Sequence, residues 1–230
     1  MNRQPYDYTG FSLRRLNEPR FSHAKLLAGW IVYFAMYFIT ENLIPPERCH
    51  VIHCALDDMI PFREGFVVFY TGWYLYVAGA LAYSFFYHVE GFKKLQVYIM
   101  ITQAIAMLCY IIYPSVQDLR PEQFPRQNLF TWALGIIYAF DTPTGVFPSL
   151  HAAYSIAIVS VALKDNQLSR AWKSAILVFA VLVCLAVCFV KQHSALDVLA
   201  ALPVCLTAEW FVFGKDYWRP RFRHSDSKSR

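Results

Sequence analysis

The chain has 230 residues, of which 57% are hydrophobic and 16% charged, with a formal charge of +5 and a mean hydropathy of +0.33. Soluble domains carry roughly 25% charged residues, so this composition argues against a soluble globular enzyme. The 19 Phe, 15 Tyr and 6 Trp exclude a disordered chain.

Residues 1–24 are polar and of mixed charge, with no cleavable signal peptide, and read as a cytoplasmic N-terminal segment. Residues 26–44 form the first apolar stretch and the targeting signal. A span needs about 20 apolar residues. The windows 65–89 and 95–117 hold no Asp, Glu, Lys or Arg, which places further spans at 66–88 and 95–113. Residues 127–140 are apolar but short, and suit an interfacial or re-entrant helix. Three more spans follow at 147–163, 173–190 and 195–213, the last interrupted by Asp197 and Glu209. Residues 214–230 form a basic cytoplasmic tail. The expected fold class is all-α: a polytopic membrane protein with six transmembrane helices in one domain over 25–213.

The basic residues set the orientation. Arg3, Arg14, Arg15, Arg20 and Lys25, then Lys93 and Lys94, then Lys164, Arg170 and Lys173, then the tail from Lys215, fall on one side of a six-span chain. The opposite side keeps Arg48, Arg63, Arg120, Arg126 and Lys191. By the positive-inside rule both termini are cytoplasmic. The net charge is then a topology signal, and no nucleic-acid partner is needed to explain it. Cys109, Cys184, Cys188 and Cys205 lie in spans as small apolar residues. Cys49 and Cys54 bracket His50 and His53 in the first outer loop. That string suits a disulfide in an oxidising exterior or two free thiols. Its spacing is unlike the usual structural zinc patterns.

Three polar clusters fall on the outer side. The first runs from Tyr113 to Pro121 and carries Arg120, whose planar guanidinium suits phosphate oxygens. Ion pairing with Asp118 or Glu122 is its plainer use. The second is Pro148-Ser149-Leu150-His151 at the start of the fourth span. Proline favours a first helical turn, and the free N–H groups there attract an anion. The third runs from Lys191 to Asp197. His193 and Asp197 are four apart and share a helix face. A carboxylate on one ring nitrogen fixes the tautomer and raises the basicity of the other. A lone Asp in a span is costly without a partner. In the six-span arrangement all three clusters meet at one end. Two histidines, cationic donors and a helix N-terminus describe a metal-free phosphoryl-transfer site.

These clusters resemble the signature of the type 2 phosphatidic acid phosphatase (PAP2) superfamily, from about residue 95 to 213. That signature combines a Lys-x6-Arg-Pro box, a Pro-Ser-Gly-His box and a Ser-Arg-x5-His-x3-Asp box. Here they read as Arg120-Pro121, Pro148 to His151, and His193 to Asp197. Leucine at 150 and the Asp141-x-Pro lead-in are similar to the branch with inositol phosphorylceramide synthases, sphingomyelin synthases and bacterial homologues. Tyr113 stands where the family has lysine, and Ala186-Val187 where it has Ser-Arg. The resemblance implies a PAP2-like helical bundle, no metal or other cofactor, and a lipid phosphate entering from the outer leaflet. It implies His193 as nucleophile, Asp197 as its orienting group and His151 as general acid. Arg120 and Ser149 would hold phosphate oxygens, with Lys191 near enough to replace an absent cation. Asp141 and Tyr113 are further pocket candidates. The bacterial homologues imply a bacterial plasma membrane.

The first expectation is a lipid-phosphate phosphatase acting on a phosphomonoester or diphosphate through a phosphohistidine. The second is a phosphotransferase in the same pocket, with a lipid hydroxyl as acceptor. Arg120-Pro121 leans toward the phosphatase, and Pro-Ser-Leu-His with the missing Ser-Arg toward the transferase. The third is a lipid transporter that binds headgroups without chemistry, which has no use for two histidines and a carboxylate. Asp57 and Asp58 are expected to cap or orient the second span, and Glu209 to reach the interface or Lys215.

Overall fold

The computed structural model describes residues 3–218, and the basic residues from Arg219 to Arg230 lie outside it. Eight α-helices make up most of the described chain: α1 (Ala28–Leu43), α2 (Ala55–Met59), α3 (Val67–Tyr87), α4 (Val89–Ile112), α5 (Leu129–Phe140), α6 (Leu150–Lys164), α7 (Arg170–Phe189) and α8 (Ala195–Trp218). A two-stranded parallel ladder pairs β1 (His50–Val51) with β2 (Ser115–Val116).

Five stretches are long and apolar enough to cross a bilayer: Ser22–Leu43, Glu64–Tyr87, Val89–Ile112, Arg170–Phe189 and Ala195–Asp216. The chain is therefore a multi-pass α-helical membrane protein. The expected fourth span, α6, has only 15 residues. At 1.5 Å per residue it is about 22 Å long, short of the roughly 30 Å hydrocarbon core. It packs against α3, α4, α7 and α8 and is the centre of the bundle. Small residues on α6 (Ala152, Ala153, Ala157) and the rings of Trp73, Tyr98, Tyr110 and Tyr154 fill the core around it. By contrast α1 buries only Thr40 and leaves Ile31 74%, Val32 64% and Phe38 67% exposed. In water that face would be untenable; in lipid it is the normal outer surface of a span.

Local chemistry sets the helix ends. Asn128 caps α5 by accepting from Phe130 N–H and Thr131 N–H, while the Thr131 hydroxyl accepts from Asn128 N–H at 2.9 Å. This reciprocal capping box makes a separate helix of the short apolar stretch. Ser149 and Ser169 cap α6 and α7. His88 alone separates α3 from α4, so Lys93 and Lys94, expected in a loop, lie inside α4. They keep their amines on carboxylates, Lys93 on Glu90 and Lys94 on Asp216, each at 2.7 Å. Glu209 meets Lys164 at 2.6 Å and Ser160, because α6 and α8 are packed side by side.

The loops gather at two ends. At one, Arg3 forks onto Asp165 with two bonds of 2.7 Å, His88 lies 3.3 Å from the same carboxylate, and Tyr6 N–H donates to the Phe86 carbonyl. At the other, β1 pairs with β2, and Arg63 N–H donates to Phe189 at the end of α7. The three polar clusters share this second end.

Candidate active site

The turn between α7 and α8 is the centre of the site. Gln192 N–H and His193 N–H both donate to the Val187 carbonyl, at 2.9 and 3.1 Å, closing the end of α7. Lys191, just before them, sits in the left-handed region at φ 55°. Ser194 then opens α8 with its own box. Its hydroxyl accepts from Leu196 N–H at 3.1 Å, and the Asp197 carboxylate reaches back to Ser194 N–H at 3.0 Å. The Ser-x-x-Asp spacing is the sequence form of this cap. It fixes Asp197 before any catalytic role is considered.

The same carboxylate oxygen, Asp197 Oδ2, lies 3.0 Å from His193 Nδ1. His193 Nε2 in turn lies 3.2 Å from His151 Nδ1. With a proton on His193 Nδ1 for the carboxylate, His193 Nε2 carries the lone pair and His151 Nδ1–H donates to it. His193 precedes α8, so the expected shared helix face is in fact a turn residue folded back over the cap. His151 occupies the first turn of α6, its ring against Trp73 at 4.3 Å and Tyr70 at 4.9 Å. Asp197 is 0% exposed. Its Oδ1, His151 Nε2 and Trp73 Nε1 have no hydrogen-bond partner among the described residues.

His151 and His193 form the polar end of a cavity of about 640 Å³. Gln192 and Asp141 line that end as well, with Trp30, Tyr33, Tyr37, Trp73 and Tyr74 along the walls and Phe34, Leu81 and Ile136 farther out. The lining holds no Lys or Arg.

The expected phosphate-binding cations are engaged elsewhere. Arg120 donates from Nε to Gln192 Oε1 at 3.1 Å, from Nη1 to the Tyr138 carbonyl at 3.2 Å and from Nη2 to the Asp141 carbonyl at 2.8 Å. Its guanidinium stacks 4.6 Å over the Tyr138 ring. Burial lowers its pKa, and Asp141, Tyr138 and Tyr70 oppose that shift. It pairs with neither Asp118 nor Glu122 within 4.0 Å. Lys191 turns away from the cavity and donates to the carbonyls of Asp57 and Ile60 at 2.9 and 2.6 Å. It lines a separate polar recess with His53, Asp58 and Asp118. Ser149 is fully buried as the α6 cap, accepting from Ala152 N–H at 3.4 Å, while its own N–H donates to the Asp197 carbonyl at 3.0 Å. It ties the histidine-bearing ends of α6 and α8 together and does not line the cavity. Tyr113 is 45% exposed and stacked on His50 at 4.2 Å, outside the pocket.

Asp141 does reach the site. Its Oδ2 accepts from Tyr70 at 2.6 Å and from Gln192 Nε2 at 3.2 Å. Gln192 and Tyr70 thus join Arg120 and Asp141 in one network behind His193. In the sequence Gln192 stands out only as the polar neighbour of His193, and Tyr70 reads as one of the lipid-facing or belt aromatics, whereas it is 0% exposed. Asp57 caps α8, not the second span, accepting from the Ser194 hydroxyl and from Ala195 N–H at 2.8 Å. Cys49 and Cys54 are free thiols.

Fold and site together define a multi-pass α-helical membrane protein with a His–His–Asp chain at the polar end of an aromatic cavity. No protein-family model, curated protein or solved structure matches the chain.

Proposed function

We propose that this protein is an integral membrane lipid-phosphate phosphatase of the PAP2 kind, acting through a phosphohistidine. The observation that carries the proposal is the chain from Asp197 through His193 to His151, at 3.0 and 3.2 Å, at the end of an apolar cavity of about 640 Å³. Aromatic walls suit acyl chains, and the imidazoles suit a phosphate at the polar end. The helices run as six spans with α6 the short, central one. Both termini face the cytoplasm and the site faces the outer side of a bacterial plasma membrane.

In this reading substrate parts the His151–His193 bond and places phosphorus between the rings. The His193 Nε2 lone pair forms the N–P bond while the P–O bond to the lipid breaks. His151, carrying a second proton brought in with the phosphate, gives that proton to the departing oxygen and is left as the neutral imidazole. Water then attacks phosphorus, His151 takes the water's proton, and His193 is released. Asp197 holds the His193 tautomer and balances the positive ring. The Leu150 and His151 N–H groups lie where a helix leaves them without internal partners, and serve the equatorial oxygens. Arg120 acts on His193 only through Gln192.

One observation favours the phosphotransferase. A phosphomonoester dianion meets no side-chain cation in the cavity lining. A phosphodiester carries a single charge and asks less of the site. The test is phosphate release by purified protein in detergent with EDTA, over a panel of lipid phosphates, beside His193→Ala. Release that vanishes in the variant supports the phosphatase. Transfer only on adding a lipid alcohol supports the transferase. Neither activity in folded protein leaves headgroup binding and transport.

A further inference from the structure

We infer that Asp57, on the five-residue helix α2 in the first outer loop, is the positioning residue that holds His193 and Asp197 in register. Its role rests on the phosphoryl-transfer reading above. Asp57 lies far from the His–Asp pair in sequence yet is 2% exposed and pressed onto the start of α8. One carboxylate oxygen accepts from the Ser194 hydroxyl and from Cys54 N–H at 2.9 Å. The other accepts from Ala195 N–H at 2.8 Å. Ser194 and Ala195 are the two residues between His193 and Leu196, so the carboxylate grips the turn that carries the catalytic pair. The contact is returned from the other side. Lys191 donates to the Asp57 carbonyl at 2.9 Å and to the Ile60 carbonyl at 2.6 Å, at the far end of α2. The 191–195 turn is thus clamped at both ends by one short helix.

The arrangement calls for an ionised Asp57. Burial opposes the charge, but the bonds from Ser194, Ala195 and Cys54 outweigh it and hold the carboxyl below its ordinary value. Three donors converge on two acceptor oxygens. Asparagine offers one oxygen and adds an NH₂, so at least one donor loses its acceptor whichever way the amide turns. A small rotation of the turn then moves His193 Nε2 relative to the cavity, and a displacement near 1 Å can cost about 10²-fold in rate. Neighbouring Asp58 is the control. It is exposed and bonds His53 at 2.9 Å, with no hydrogen bond or ion pair to residues 191–195 among the described residues.

The experiment compares wild type, Asp57→Asn and Asp58→Asn in detergent. It reads turnover, the pH–rate profile, and the histidine side-chain NMR signals of ¹⁵N-labelled protein, with the His193 signal identified by His193→Gln. Asp57→Asn is expected to lower kcat by about 10- to 100-fold with KM within about two-fold, and to shift the His193 resonances and titration. Asp58→Asn is expected to match wild type in all three. Asp57→Asn that is folded and leaves the His193 signals and titration unchanged overturns the assignment, whether or not its melting temperature falls. If Asp57→Asn moves the His193 signals but wild type turns over no lipid phosphate, the clamp stands and the enzymatic reading falls.

Discussion

Replacing Asp197 by asparagine separates two roles of this carboxylate, because the structure says which way the amide must turn. Asp197 Oδ2 faces two donors, His193 Nδ1–H and Ser194 N–H, both at 3.0 Å. An NH₂ placed there would meet two N–H groups. The amide oxygen therefore takes the Oδ2 position, and His193 keeps its proton on Nδ1 and its lone pair on Nε2. What is lost is charge. A charge-assisted bond is worth about 1.5–3 kcal/mol against about 0.5–1.5 for a neutral one. The difference, about 1–2 kcal/mol, corresponds to roughly 5- to 30-fold in kcat. In a Ser-His-Asp protease the same change forces the wrong tautomer and costs about 10⁴-fold. The second donor from Ser194 is what prevents that here. The displaced NH₂ lands where Asp197 Oδ1 already lacks a partner, so that position adds no new penalty, and stability falls only by the weakened bonds, about 1–2 kcal/mol. Initial rates on the best lipid phosphate in mixed micelles, with melting in the same detergent, measure both. A kcat equal to that of wild type, or one as low as that of His193→Ala, refutes this account of the carboxylate.

Arg120→Met strips donors from Gln192 and from the carbonyls of Tyr138 and Asp141, so thermal melting is expected to drop by about 2–4 kcal/mol in stability. A raised KM with unchanged melting would instead make Arg120 a substrate ligand. Ala78→Trp fills part of the aromatic cavity, and should lower kcat/KM for long-chain lipids about ten-fold or more while sparing a water-soluble short-chain phosphate. Equal losses on both would place the acyl chains elsewhere. Asp57 has its pKa depressed by folding, so its contribution is present above the unfolded value near 3.8 and is lost as pH falls through the lower, folded value. The melting temperature of wild type should therefore exceed that of Asp57→Asn at pH 6, and the gap should shrink below about pH 4. A gap that widens in acid would mean that Asp57 is protonated in the folded protein.

The sequence carried the helices well and the site unevenly, for physical reasons. Apolar runs with no charge are long-range signals, and α3, α7 and α8 begin and end within a few residues of expectation. The α3–α4 turn was misplaced because Lys93 and Lys94 read as loop residues, whereas pairing with Glu90 and Asp216 lets them stay helical. The meeting of His151, His193 and Asp197 was legible because the helix starts that carry them are local patterns at fixed spacing. The cations were not, since charge alone does not say where a side chain points. Lys191 is adjacent to the site in sequence, yet its amine is held by the Asp57 and Ile60 carbonyls of α2 and its end. Arg120 arrives at the site but spends its fork on Gln192 and two carbonyls. Tyr113 stacks outside on His50. Asp57 and Tyr70 come from distant elements, and only the packing of α2 and α3 against the α7–α8 turn brings them in.

The central claim is a covalent bond between His193 and phosphorus, and the direct measurement is to trap it. Wild type is mixed with a lipid phosphate in EDTA, quenched rapidly in alkali, digested and mapped by mass spectrometry. The account predicts an acid-labile, alkali-stable phosphoryl group on His193, formed within one turnover and absent in His193→Gln. Product formation with His193 unmodified, or a phosphoryl group that persists elsewhere in His193→Gln, would contradict it.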